Sequence, residues 1–360
     1  MAEERRIAVL GAGPGGMSTA AVLTRRGLDV SLYNRSPKAL EPATERGGIE
    51  IEGSLGDGFV ALPVITADPE DAFAGRRVFL IAVPAYGQMP MLRALLPHLN
   101  DESTVVFLSG SCASLEAVAV LAERGLDPRR GIVLGETFSL PQSGRIVGPA
   151  KVRIRIPGSR IRAAAFPGRR TDELVKRLDG VLELLPKPNV LDPGLHNPNF
   201  LIHPAPMLLN YAAVERAEGA LSIMNEGMTP GVLRCLDAVD AERCAVAAAY
   251  GLEPIPVDEI YREIGSSPDV YRKPGEPFGL KDRIWPRYIE EDVPYGTVLI
   301  SSLGDLAGVP TPVCDGINHI LSVVEQKDFW STGRTAARLG LEGMDVAQVR
   351  AYVTSGERPA

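Results

Sequence analysis

Short apolar runs alternate with stretches of helical spacing through the first half of the chain. Arg6-Ile7-Ala8-Val9-Leu10 reads as a buried strand, and a helix rich in small residues follows over 17–26. Residues 28–33 form a second strand. Gly48–Gly53 and residues 59–64 read as strands joined by a Gly56-Asp57-Gly58 turn. The unbroken apolar run 78–83 predicts a strand buried on both faces, with a helix after it to Leu99. Residues 104–108 and 132–134 are further strands, and Lys151–Ile156 is a later one with Lys151, Arg153 and Arg155 on a solvated face. Past Leu185-Pro186-Lys187-Pro188-Asn189 the strand signals fade. Residues 196–211, 237–250, 258–264, 305–307 and 313–324 read as helices with proline-rich joints, and 225–230 as a loop.

Gly11-Ala12-Gly13-Pro14-Gly15-Gly16 stands between the first strand and its helix, the context that gives G-x-G-x-x-G meaning. Gly11 permits the tight turn, Gly13 lets backbone approach a pyrophosphate, and Gly16 lets helix and strand pack closely. The pyrophosphate would rest on the helix N-terminus. The chain is therefore expected to be an α/β Rossmann-type dinucleotide-binding domain over 1–186, followed by an all-α helical substrate and dimerisation domain over 187–360. The cleft between two such domains is a common ligand site. The second strand ends in Asn34-Arg35-Ser36 rather than in the Asp or Glu that holds ribose hydroxyls. Arg35 and Ser36 suit a 2′-phosphate, with Lys38 as a second cation, so NADPH is favoured. A solvated Arg35 would leave NADH open. Val83 and Pro84 lead a loop expected beneath the cofactor. Ligands bind at the carboxyl ends of strands in such sheets. Cys112 and Thr137, at two such ends, are candidate substrate neighbours, with plain loop packing as the other reading.

The second half carries the candidate proton chemistry. Asn197-Pro198 is a helix start, and Asn199 and His203 lie four apart on one helical face. Pro204 should stop or kink the helix at His203. A histidine at such a break suits a general acid. The alternative is a buried structural histidine bonded to Asn199. Residues 285–296 crowd Arg287, Tyr288, Glu290, Glu291 and Asp292 into one irregular segment. Arg287 offers a planar fork for a carboxylate, Tyr288 a substrate contact, and Asp292 can orient an imidazole. A surface acidic loop is the competing reading.

Composition excludes more than it proposes. The 360 residues suffice for two domains, and 45% hydrophobic with 23% charged residues is ordinary for a globular protein. A net charge of −7 without a basic run argues against nucleic acid. Residues 1–6 do not read as a secretory signal, and no apolar stretch approaches the ~20 residues of a membrane span, so a cytoplasmic protein is expected. Cys112, Cys235, Cys244 and Cys314 are scattered and read as buried thiols, with no metal site.

Taken together, these stretches resemble the opine dehydrogenases, the octopine/nopaline dehydrogenase group, and most of all the bacterial N-(1-D-carboxyethyl)-L-norvaline dehydrogenase type. The carriers span nearly the whole chain: the glycine loop, Gly135-Glu136-Thr137, Asn199 with His203-Pro204, Met207-Leu208-Leu209-Asn210, Glu226-Gly227-Met228-Thr229-Pro230, Asp240-Ala241-Glu242-Arg243, Arg287-Tyr288 with Glu291-Asp292-Val293, and Val309-Pro310-Thr311-Pro312. The resemblance implies NAD(P)H-dependent reduction of the imine formed between an α-keto acid and an amine or amino acid. It implies His203 as proton donor and Asp292 as its orienting partner, with Asn199 and Arg287 contacting substrate or supporting that pair. It also implies a homodimer. A ketopantoate-reductase-like or glycerol-3-phosphate-dehydrogenase-like enzyme is the competing class. Those lean on a lysine in the helical domain, and residues 196–250 contain none. A non-catalytic NADP-binding regulator is the third reading.

Overall fold

The computed structural model describes residues 6–156, 160–218, 221–273 and 285–359. Residues 1–5, part of the stretch read above as carrying no secretory signal, lie outside the described residues. The chain divides into two compact units, Met1–Gly194 with Val353–Glu357, and Leu195–Tyr352 with Arg358–Ala360.

The first unit holds β1 (Arg6–Leu10), β2 (Asp29–Tyr33), β3 (Gly48–Gly53), β4 (Gly58–Ala61), β5 (Val64–Thr66), β6 (Val78–Ile81), β7 (Thr104–Phe107), β8 (Val133–Thr137), β9 (Ser143–Gly148), β10 (Lys151–Ile156), β11 (Ile161–Phe166) and β12 (Leu184–Pro186). The larger sheet runs β12-β11-β8-β7-β6-β1-β2-β5, and the smaller β4-β3-β10-β9. From β5 to β8 the larger sheet is parallel, and β11 joins β8 antiparallel. β6 and β7 are wholly buried, as their unbroken apolar runs require in a sheet covered on both faces. Phe79, Ile81, Val105 and Phe107 pack there with Leu92 and Leu95 of the helix Ala85–Leu95 and Leu121 of the helix Ala113–Ala122.

Register decides where the site lies. Tyr33, Leu10, Ile81, Phe107 and Glu136 pair in one row across β2, β1, β6, β7 and β8. The residues that follow are Asn34, Gly11, Ala82, Leu108 and Thr137, so the loops singled out above leave the sheet along one edge. Strand order reverses between β1 and β6, where doubly wound sheets hold their nucleotides.

Several expectations are corrected here. Residues 59–64 are not one strand. Leu62-Pro63 separates β4, in the small sheet, from β5, in the large one, because proline cannot donate to a ladder. The first helix begins at Pro14, not at residue 17. β9, β11 and β12 were not foreseen. In the second unit the described residues form helices and no strand. The 237–250 helix is longer, Pro230–Ala249, and 305–307 is only the end of Val298–Ala307. The 225–230 loop contains a π-helical turn, Ile223–Gly227. The irregular 285–296 segment is the helix Trp285–Glu290 followed by a π-helical turn, Val293–Thr297. Cys112 and Cys314 are buried, but Cys235 and Cys244 are only half-buried.

Candidate active site

The glycine loop is shaped by what its neighbours leave no room for. The Gly11 amide donates to the Tyr33 carbonyl over 2.7 Å, at a φ of +124° that disfavours any side chain. A Cβ at Gly11 would stand 2.4 Å from the Ala82 carbonyl oxygen and 2.8 Å from Val83 Cγ1, so β1 and β6 hand their loops to the same place. Pro84 then caps the helix Ala85–Leu95. A Cβ at Gly16 would meet the Gly11 carbonyl oxygen at 1.8 Å, which is why the helix Pro14–Arg25 can close onto its own loop. Gly13 caps that helix and Pro14 opens it. A Cβ at Gly13 would meet nothing within 4 Å, so this side of the loop is open to a phosphate, and the first-turn amides supply the donors. Gly15 has another reason for lacking a side chain: Leu140 comes within 2.7 Å of where its Cβ would be. No sequence pattern pointed to Leu140.

At the end of β2, Asn34 Nδ2 donates to the Ser36 carbonyl at 3.2 Å and sets the turn. Arg35, Ser36 and Lys38 are exposed beside it. Burial raises the Tyr33 phenol above its ordinary pKa, while the Arg35 guanidinium pulls it down and Asp68 raises it.

Beyond β7 the backbone enters the left-handed region at three non-glycine residues, Ser109 (φ 63°), Ser111 (φ 57°) and Cys112 (φ 66°). Such positions cost about 1–3 kcal/mol each and persist only where neighbours over-determine them. Glu136, fully buried, accepts the Cys112 amide at 2.7 Å and the Ser114 amide at 2.8 Å. The Ser109 amide donates to Thr137 Oγ1 at 3.2 Å, and Gln88 Nε2 to the Ser109 carbonyl at 3.0 Å. Cys112 and Thr137, the candidate substrate neighbours, belong to this framework. Both are fully buried; the thiol lies against the Val190 carbonyl, and the Thr137 hydroxyl donates to the Ser139 carbonyl. They hold the loop. The Glu136 clamp was missed, although an acid inside an apolar strand is the signal that marks it.

In the second unit the His-Pro break forms as expected. Asn197 Oδ1 caps the Asn199 amide at 3.1 Å, the helix Asn199–Ile202 stops at His203, and Pro204–Arg216 restarts it. The His203 amide donates to the Asn199 carbonyl, while its ring does not turn to Asn199. His203 Nδ1 lies 2.7 Å from Asp292 Oδ2, with 8% of His203 and 4% of Asp292 exposed. A carboxylate only accepts, so Nδ1 carries the hydrogen and Nε2 is the atom left to exchange a proton. Tyr288 stacks on the imidazole at 3.7 Å between centroids and 13° between planes. Arg287 is half-exposed, and its Nε donates to Glu291 one turn later. The nearby His196 differs: it is fully buried and its Nε2 faces the Glu253 carbonyl at 3.1 Å. Among the described residues no cluster of three or more His, Cys, Asp or Glu side chains is arranged to hold a metal, and no helix is long and apolar enough to cross a membrane.

A doubly wound sheet bearing that cradle, and a helical unit bearing a buried carboxylate–imidazole pair, define a two-domain nicotinamide-nucleotide oxidoreductase. Residues 7–153 match the ketopantoate reductase PanE/ApbA family, and residues 186–324 match the family described as NAD/NADP octopine/nopaline dehydrogenase, alpha-helical domain. An opine dehydrogenase of Arthrobacter sp. (strain 1C) is 31% identical over 98% of this chain and 100% of its own length. Octopine dehydrogenase with NADH and L-arginine is 18% identical, covers 99% of both chains and superposes with a TM-score of 0.74; the same enzyme with NADH and pyruvate gives 0.70. Yersinopine dehydrogenase with NADP+ bound is 15% identical, covers 98% of this chain and 99% of its own, and gives 0.67. The chain belongs to the opine dehydrogenase family, NAD(P)-dependent oxidoreductases acting on CH–NH bonds.

Proposed function

We propose that this enzyme reductively couples an α-keto acid to an amine or amino acid, with NADPH as the favoured reductant and His203–Asp292 as its proton-delivering pair. The observation that carries the reading is the 2.7 Å contact between two buried groups, the arrangement in which a carboxylate orients an imidazole for proton transfer. Residues 1–186 would act as the dinucleotide domain and 187–360 as the substrate domain.

A bound nicotinamide nucleotide supplies hydride. The Gly13 side of the loop fits its pyrophosphate, with Gly11, Pro14, Gly15 and Gly16 shaping the turn and Val83-Pro84 bounding it. Exposed Arg35, with Ser36 and Asn34 in the same turn and no carboxylate to repel it, suits a 2′-phosphate. His203 Nε2 holds a proton near the substrate nitrogen, and the carboxylate of Asp292 stabilises the imidazolium that donates it. Carbon takes the hydride and nitrogen keeps the proton, so C=N becomes CH–NH. Arg287 and Asn199 would meet the substrate's carboxylate and amide-bonding groups or support the pair, and Tyr288 borders the same place. Octopine dehydrogenase, whose structures carry pyruvate or L-arginine, supports this choice of partners. The same reading takes the protein as a cytoplasmic homodimer. Leu209, Ile320 and Val323 of the helical unit are exposed apolar residues available for self-association, which sedimentation at increasing concentration would test.

NADPH and NADH oxidation with pyruvate and a panel of amines, product mass recorded, tests the proposal. Oxidation that needs both keto acid and amine is expected. Oxidation with keto acid alone would move the enzyme to the ketopantoate-reductase-like class, whose family model matches residues 7–153.

A further inference from the structure

Asp292 fixes one atom of the His203 ring. A single hydrogen bond at Nδ1 leaves the ring plane free to swing about that contact, and Nε2 would swing with it. The backbone is held, its amide on the Asn199 carbonyl and its carbonyl on the Met207 amide, at the joint between two helices (φ −110°, ψ −62°), so the ring plane is left to side-chain contacts. What lies against the open face is the Tyr288 ring, nearly parallel and 3.7 Å away. At that distance the two rings are in van der Waals contact and no water fits between them. Tyr288 sits on the helix Trp285–Glu290, and Asp292 caps the turn Val293–Thr297 directly after it. One short segment therefore grips the imidazole twice, at an edge and on a face. Tyr261 is buried, and burial first and Tyr288 next push its phenol up, so it stays protonated. Its ring packs on Tyr271 at 4.8 Å, and the Tyr271 hydroxyl donates to Asp258.

We infer that Tyr288 is a positioning residue for the His203–Asp292 pair: its stacked ring sets the plane of the imidazole and so aims Nε2. This rests on the proposal that His203 delivers the proton. It also changes the part given to Tyr288, from a contact made to substrate to one made to the histidine.

A double-mutant cycle tests it, measured with NADPH, pyruvate and the amine that gives the highest turnover in the panel. Misplacement of a catalytic group by a fraction of its length costs rate rather than binding, so Tyr288→Leu should lower kcat by about tenfold and leave the KM values within about twofold. Tyr288→Phe keeps the ring and should restore kcat to within about twofold. In a His203→Ala background the Leu substitution should cost less than about twofold more, because the two residues act as one unit. Unchanged kcat in Tyr288→Leu would overturn the inference. So would a Phe variant as slow as the Leu one, a KM effect without a kcat effect, or a full tenfold loss on top of His203→Ala. Proton NMR of the His203 ring adds a readout that needs no turnover: its Cδ2 and Cε1 protons should lose ring-current shielding in the Leu variant and keep it in the Phe variant, and unchanged shifts in the Leu variant would also sink it. Wild-type turnover in His203→Ala alone would instead bring down the proton-donor reading, and the NMR comparison would still report on the stack.

Discussion

Two histidines, His196 and His203, are both buried, yet of the two it is His203 that faces a carboxylate. His196 faces the Glu253 backbone carbonyl. His203 faces the buried carboxylate of Asp292, which fixes the hydrogen on Nδ1 and leaves Nε2 to exchange a proton. His203→Ala should therefore lower kcat by about two orders of magnitude or more, the usual scale for a general acid, while His196→Ala should reduce thermal stability and leave catalysis largely intact. Asp292→Asn should cost about tenfold to a hundredfold by loosening the ring's orientation; a steady-state kcat near wild type would detach Asp292 from the mechanism. At the cofactor, Arg35→Ala should raise KM for NADPH by about tenfold, as losing a charge-assisted bond does, and leave KM for NADH nearly unchanged. Equal effects on both would make Arg35 a plain solvated arginine. The site was readable in the sequence where the rules are local. The Asn-Pro and His-Pro steps locate the helix break, and hence His203, without any knowledge of the fold. Its partner stands 89 positions later, a separation no local rule spans, and only the family resemblance joined the two.

At the scale of elements, the strand–glycine–helix unit was legible because each of its rules concerns neighbours in sequence. The structure adds the contacts that make Gly16 obligatory. Gly16→Ala would drive a methyl group to 1.8 Å from the Gly11 carbonyl, so the loop must open, with cofactor affinity and melting temperature both falling. A variant that binds NADPH normally would show that the loop tolerates opening. The unforeseen elements have common causes. β11, Ile161–Phe166, is fully buried but its alanines carry little strand preference. The π-helical turns at Ile223–Gly227 and Val293–Thr297 have no sequence period of their own. Asp240 and Glu242 turn out to do structural work: Asp240 binds Arg243 and the Val257 amide, and Glu242 caps the Val313 and Cys314 amides at the start of the helix Pro312–Val324.

For the whole molecule, the two units match two families. The nucleotide half is shared with ketopantoate reductases, so it says little about the reaction. The helical half matches the octopine/nopaline dehydrogenase family, and in the proposed reading its His203, Tyr288 and Asp292 set the chemistry. Cofactor binding and proton delivery should then be separable, and His203→Ala should bind NADPH with wild-type affinity while turning over slowly. The measurement that bears most directly on this is NADPH oxidation with pyruvate and the amine panel, run on the wild type and on His203→Ala alongside a direct NADPH-binding titration. Wild-type oxidation that requires both partners and yields a secondary amine of their summed mass less one oxygen atom, water being lost and two hydrogens gained, slowed by about a hundredfold in the variant at unchanged NADPH affinity, is the expected result. Oxidation by the wild type without an amine, or an equal rate in the variant, would contradict it.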